Sequence, residues 1–114
     1  MDDKVSRLID LALEEDIGNG DVTSEYFVPA DRAARAFVEA REDGIVAGGE
    51  VAAEVFRRVD AALEVEVLRP DGTRVAPGDE VMAVRGPARS VLTAERTALN
   101  FLQRLSGVAT KTSH

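Results

Sequence analysis

The hydrophobic period of this chain changes along its length, and that switching limits the folds open to it. Near the N-terminus Val5, Leu8, Ile9, Ala12 and Leu13 recur at helical spacing. Over "RAARAFVEAR" the period falls to two, with Ala34, Ala36, Val38 and Ala40 on one side and Arg35, Phe37, Glu39 and Arg41 on the other. Asp43-Gly44 then signals a hairpin, with "IVAG" as the return strand. After Gly49 a helical stripe returns at Val51, Val55, Phe56 and Val59. "LEVEVLRP" and "EVMAVRG" read as strands around the turn "PDGT". A long helix follows, with Pro87 suited to its first turn and Gly107 to its end. The order α-β-β-α-β-β-α, with strands in antiparallel hairpins, gives an α+β class: an open α/β sandwich with a small antiparallel sheet and packed helices.

Composition sets the outer limits. At 114 residues the chain is one domain's worth, and with only 4% aromatic residues its core must be aliphatic. A formal net charge of −7 repels backbone phosphate over most of the surface, which argues against a nucleic-acid partner. No apolar run reaches the roughly 20 residues of a membrane span, no basic-then-apolar leader opens the chain, and no membrane partner is expected. Without cysteine there are no disulfides or thiolate sites, and a cytoplasmic location is expected. Gly18 and Gly20 are expected to stop the first helix, with Asp21, Thr23 and Ser24 bonding nearby amides. Asp16, Asn19 and Asp21 lack the alternating ligands, following Gly and distant Glu of a calcium loop, so a structured turn is the reading there and no metal ligands are expected in the chain.

The final helix, "TAERTALNFLQRLSGVAT", raises the functional question. At about 100° per residue, Val91, Leu92, Glu95, Ala98, Leu99, Leu102 and Leu105 fall on one arc with Glu95 near its middle. Arg89, Arg96 and Gln103, spaced by sevens, form a neighbouring ridge beside Thr93 and Asn100, while Ala94 and Phe101 lie on the far side. Apolar residues on opposite sides suggest a helix covered on both faces, by its own sheet and by something else. Adjacent helix residues do not face each other, so Glu95 does not readily neutralise Arg96. Two readings of Arg96 stay open: a rim arginine paired with a surface acid, or a planar fork of donors presented to a partner carboxylate or phosphate.

The strings "LALEEDIGNGDVTS", "AREDGIVAGGEVAAEVF" and "PDGTRVAPGDEVMAVRGPARSVLTAERTALNFLQRLSGVAT" resemble the N-terminal domain of the quinolinate phosphoribosyltransferase family over essentially the whole chain. "ERTALNFLQRLSGVAT" is the specific part of the match. The resemblance implies conversion of quinolinate and phosphoribosyl pyrophosphate to nicotinate mononucleotide, pyrophosphate and carbon dioxide, in the de novo route to NAD and with magnesium. It implies that residues 1–105 form the N-terminal sandwich and that 106–114 start a connector to an α/β barrel missing from this chain. It further implies a homodimer or higher oligomer in which Arg96 crosses the interface to bind the quinolinate carboxylates, while Phe101 meets the barrel or the partner. The basic cluster and the magnesium ligands would belong to the barrel, so this chain alone is expected to be inactive, with no catalytic residue of its own.

Two rivals qualify that reading. "PDGTRVAPGDEVMAVRG" resembles half of a lipoyl or biotinyl module, but such modules present a lysine at a hairpin tip. The only lysines here are Lys4 and Lys111, near the ends. A molybdenum-transport-associated phosphoribosyltransferase paralogue shares the two-part architecture, and barrel residues would be needed to tell it apart.

Overall fold

The computed structural model describes residues 3–20 and 32–113, with side chains at 3–15 and 32–112. The turn expected at Asp21, Thr23 and Ser24, the side chains of Asp16 and Asn19, and His114 lie outside that description. The elements in chain order are α1 (Asp3–Gly20), β1 (Ala33–Ala40), β2 (Gly44–Ile45), α2 (Gly49–Val59), β3 (Glu64–Val67), β4 (Arg74–Val75), β5 (Glu80–Pro87), α3 (Ala88–Ser106) and β6 (Thr110–Ser113). Helix α1 runs through Gly18 to Gly20 rather than stopping at the first glycine. Glycine weakens a helix without forbidding it.

Four strands form the main sheet in the order β3-β5-β1-β6, every neighbour antiparallel. The hairpin expected at Asp43-Gly44 is not formed. Strand β2 leaves β1 and pairs with β4, setting Gly44 opposite Val75 and Ile45 opposite Arg74 in a separate ribbon. The reason is a second, small core: Ala40, Val46, Val75, Val81 and Val108 are buried together around that ribbon. A β1–β2 hairpin would forfeit this burial. Strand β3 likewise skips β4 and pairs with β5, while the "PDGT" turn closes as expected, Thr73 N–H donating to the Pro70 carbonyl at 3.1 Å.

Residues 110–113, expected to belong to a connector, add a strand to the sheet instead. Thr110 lies opposite Ala40 and Ser113 opposite Phe37. β-Branched threonines suit an extended edge, and β1 offers an otherwise unpaired row of backbone groups there. Residues 110–113 thus lie in the main sheet. Gly107 still ends α3 as expected, with φ 68°.

Strand β1 keeps its alternation: Ala36, Val38 and Ala40 are buried and Arg35 is exposed. In β5 the alternation breaks, because Val38 pairs with Met82 while Glu39 pairs with Glu80. The bulge leaves Val81 unmatched and lets two consecutive residues be fully buried. Met82 joins the main core and Val81 the small one. The main core fills one face of the sheet with Ile9 and Leu13 of α1, Ala52, Ala53, Val55 and Phe56 of α2, and Val91, Ala94, Ala98 and Leu102 of α3. Among the described residues nothing covers the opposite face, which carries Arg35, Glu64, Glu66 and Arg85, all exposed. The open α/β sandwich is thus the observed architecture.

Helix α1 is also tied by charge. The Arg58 guanidinium donates to Asp10 Oδ1 at 2.7 Å, to the Ser6 carbonyl at 3.2 Å and to Glu54 Oε1 at 3.3 Å, with a further bond to the Ser6 hydroxyl. One planar fork therefore joins two helices.

Gly48 sets how α2 begins. Its φ is 84°, and a Cβ there would lie 2.6 Å from Leu105 Cδ1 and 2.9 Å from Leu105 Cβ. Left-handed backbone and close approach to α3 both demand glycine. Gly48→Ala should lower stability by about 1–3 kcal/mol from backbone strain alone. Chemical denaturation of the variant checks this, with an unchanged m-value expected if only the folded state is affected.

Candidate functional site

The candidate site is the outer face of α3, and its position follows from how that helix is held. At the start, the Ser90 hydroxyl donates to Asp60 Oδ2 at 2.7 Å and Ala88 N–H donates to the Arg32 carbonyl at 2.8 Å. At the end, Gly107 N–H caps the Gln103 carbonyl and Gln103 Nε2 donates to the Thr110 carbonyl at 3.2 Å. Between these anchors Ala88, Val91, Ala94, Thr97, Ala98 and Leu102 are buried.

This buried stripe differs from the expected arc. The leucines were expected to mark its centre, with Glu95 among them. Instead Leu92 and Leu99 are only half-buried, Leu105 is exposed, and Ala94 is completely covered. The stripe has turned toward the small residues because alanines at 94 and 98 let α3 approach α2 and the sheet closely. Phe101, expected to meet a barrel or a partner, packs against the main core and lines a recess with Ala12 and Glu15 of α1. Part of the cover of α3 thus comes from within the chain, while Leu105 remains exposed.

Rotation of the stripe carries Glu95 to its margin and turns Arg96 outward. Glu95 is half-buried and not without a partner, which answers the cost that an isolated buried carboxylate would carry. Arg89 is half-buried and also engaged. Arg96 is exposed, and among the described residues no hydrogen bond or ion pair holds it. Of the two readings left open by the sequence, the rim arginine paired with a surface acid finds no such acid among the described residues. On this anchored helix no described residue takes up the guanidinium donors.

The described residues contain no group of three or more His, Cys, Asp or Glu side chains able to hold a metal ion. None of the described helices is long and apolar enough to cross a membrane.

Residues 21–106 match the model of the quinolinate phosphoribosyl transferase N-terminal domain. The chain belongs to that family. Among relatives of this quinolinate phosphoribosyltransferase domain, the carboxylating nicotinate-nucleotide pyrophosphorylase of rice, named chloroplastic, is 46% identical over 92% of the chain and 29% of its own length. The probable carboxylating enzyme of the same name from Bacillus subtilis is 34% identical over 96% of the chain and 37% of its own length. The crystal structure of NadC from Streptococcus pyogenes superposes with a TM-score of 0.86 at 36% identity, covering 91% of this chain and 37% of that one. The chain spans about 30% of the length of the plant relatives it matches. Family membership sets aside the lipoyl or biotinyl module, whose hairpin pairing of successive strands is also absent, since β3 joins β5 across the β4 excursion.

Sequence reasoning missed the two anchors of α3. No local pattern links Ser90 to Asp60 thirty residues away, and the Gln103–Thr110 bond depends on β6, which was read as connector. The Ser90 hydroxyl, with help from the Ala62 N–H, holds the Asp60 carboxyl below its ordinary pKa. A lowered folded-state pKa stabilises at any pH above the ordinary carboxyl range, and that contribution is lost as pH falls through the lowered value. Ser90→Ala should therefore raise the Asp60 pKa toward its ordinary value, read by carboxyl NMR titration. Its melting temperature should fall below the parent's at neutral pH, and the gap should narrow in acid.

Proposed function

We propose that this chain is the substrate-closing domain of a quinolinate phosphoribosyltransferase, and that Arg96 grips a quinolinate carboxylate held by a neighbouring subunit. The enzyme in this reading joins quinolinate to phosphoribosyl pyrophosphate, giving nicotinate mononucleotide, pyrophosphate and carbon dioxide for NAD biosynthesis. The observation that carries it is the state of Arg96: exposed, outward on an anchored helix and engaged by nothing among the described residues, in a domain of this family. A free guanidinium suits a planar carboxylate because it can give two parallel N–H bonds, each charge-assisted. Its placement on a helix fixed at both ends leaves only the side chain to be ordered on binding.

The remaining parts of the reading lie beyond these residues. A chain of net charge −7 does not gather two polyanionic substrates unaided, so the basic cluster and the magnesium ligands are assigned to a barrel domain, and the active unit to a homodimer or larger assembly. A cytoplasmic location belongs to the same proposal; relatives from rice and Nicotiana carry chloroplastic or mitochondrial in their names. The molybdenum-associated alternative has less support, since the relatives cited above are named for the nicotinate nucleotide.

In the full-length enzyme, Arg96→Ala should raise KM for quinolinate by about 100-fold, the order expected for losing a charge-assisted bidentate contact. KM for phosphoribosyl pyrophosphate should stay within about twofold. Arg96→Lys should recover only part of the loss, because an ammonium cannot reproduce the fork. Equal changes for both substrates would make Arg96 structural. The 114-residue chain by itself should give no pyrophosphate release with both substrates present; turnover would overturn the division of labour proposed here.

A further inference from the structure

Arg96 has a neighbour that the fold does not explain. Asn100 lies four residues on, in the interior of α3 (Ala88–Ser106), and is exposed. Side chains at i and i+4 of a helix stand side by side, with Cβ atoms about 5–6 Å apart. Asparagine is a poor choice for an exposed helix interior, since its side chain competes for backbone hydrogen bonds. Elsewhere on this helix the polar side chains have structural work: Thr93 donates to the Arg89 carbonyl at 2.8 Å, Gln103 to the Thr110 carbonyl, and buried Thr97 is engaged. Asn100 makes no hydrogen bond among the described residues. Arg104, one turn further on, is accounted for by the negative end of the helix dipole. Asn100 has no such explanation.

Resting on the reading of Arg96 given above, we infer that Asn100 is a second substrate-contact residue of the same site. It donates from Nδ2 to the carboxylate adjacent to the one that Arg96 holds. Quinolinate carries its two carboxylates on neighbouring ring carbons, so a ligand gripped by Arg96 presents a second acceptor within a few ångströms. A neutral amide suits that position better than a second cation would: it gives a hydrogen bond without adding a charge to be desolvated. Asn100 also borders a recess of about 270 Å³ in which Glu15 and Arg104 carry opposite charges, so that recess offers no net charge to hold a dianion. Asn100 thus favours a vicinal dicarboxylate over a pyridine with one carboxylate.

The test uses the full-length enzyme with Arg96→Ala, Asn100→Ala and Asn100→Asp, measuring KM and kcat for each substrate and the melting temperature of each variant. Asn100→Ala should raise KM for quinolinate about tenfold, the loss expected for one hydrogen bond to a charged group. Its melting temperature should hold or rise, because alanine is the better helix former. Asn100→Asp, nearly isosteric, should be worse than Asn100→Ala because it sets like charges together. If Arg96→Ala impairs quinolinate use while Asn100→Ala stays within twofold of the parent, the inference about Asn100 fails and the reading of Arg96 stands. If Arg96→Ala has no selective effect, that reading fails and takes this inference with it. A lowered melting temperature in Asn100→Ala, or an equal rise in KM for both substrates, would show a structural role and also overturn it.

Discussion

The candidate site depends on how α3 is rotated about its own axis, and small side chains fix that rotation. Ala94 and Ala98 are completely covered, with Val91 and Leu102 beside them. Close packing of this kind does not tolerate a turn of the helix, because any rotation would open voids on one side and force overlap on the other. The anchors at Ser90 and Gln103 hold the two ends. Arg96 faces outward because the alanines face inward. The chemistry proposed for it is a consequence of packing several residues away.

Much of the architecture was legible in the sequence. The three helices among the described residues, the alternation of β1 and the stop at Gly107 all follow from local period and cap chemistry. The strand partners did not follow. Asp43-Gly44 is a strong local hairpin signal, yet β2 joins β4, because a long-range cluster of valines outweighs a two-residue turn preference. The β5 bulge was equally hidden, since a run such as "EVMAV" does not say where alternation breaks. It becomes necessary only once two separate cores must be served by adjacent residues.

The site was partly legible. Arg96 stood out because a guanidinium beside an apolar stripe invites a partner, and the family motif named one. The helical projection nevertheless misplaced the stripe by giving leucines more weight than alanines. Bulky residues mark where apolar surface is plentiful, whereas small ones mark where backbones come closest. Glu95 illustrates the difference: central in the projection, it is marginal in the fold and not without a partner. Asn100 gave only a weak sequence signal, a poor helix former beside a polar ridge, and it stands out once its neighbours' hydrogen bonds have been accounted for.

The placement of β1 has a bearing on synthesis. Its two flanking partners, β5 and β6, lie far downstream, and the second is completed only at Ser113. A nascent chain must therefore carry an apolar, alternating segment without lateral pairing for several seconds at ordinary elongation rates of about 5–20 residues per second. Until then its backbone groups are satisfied by solvent or by whatever covers them. The charged residues interleaved along it, Arg35 and Glu39, are placed to keep that interval from ending in aggregation.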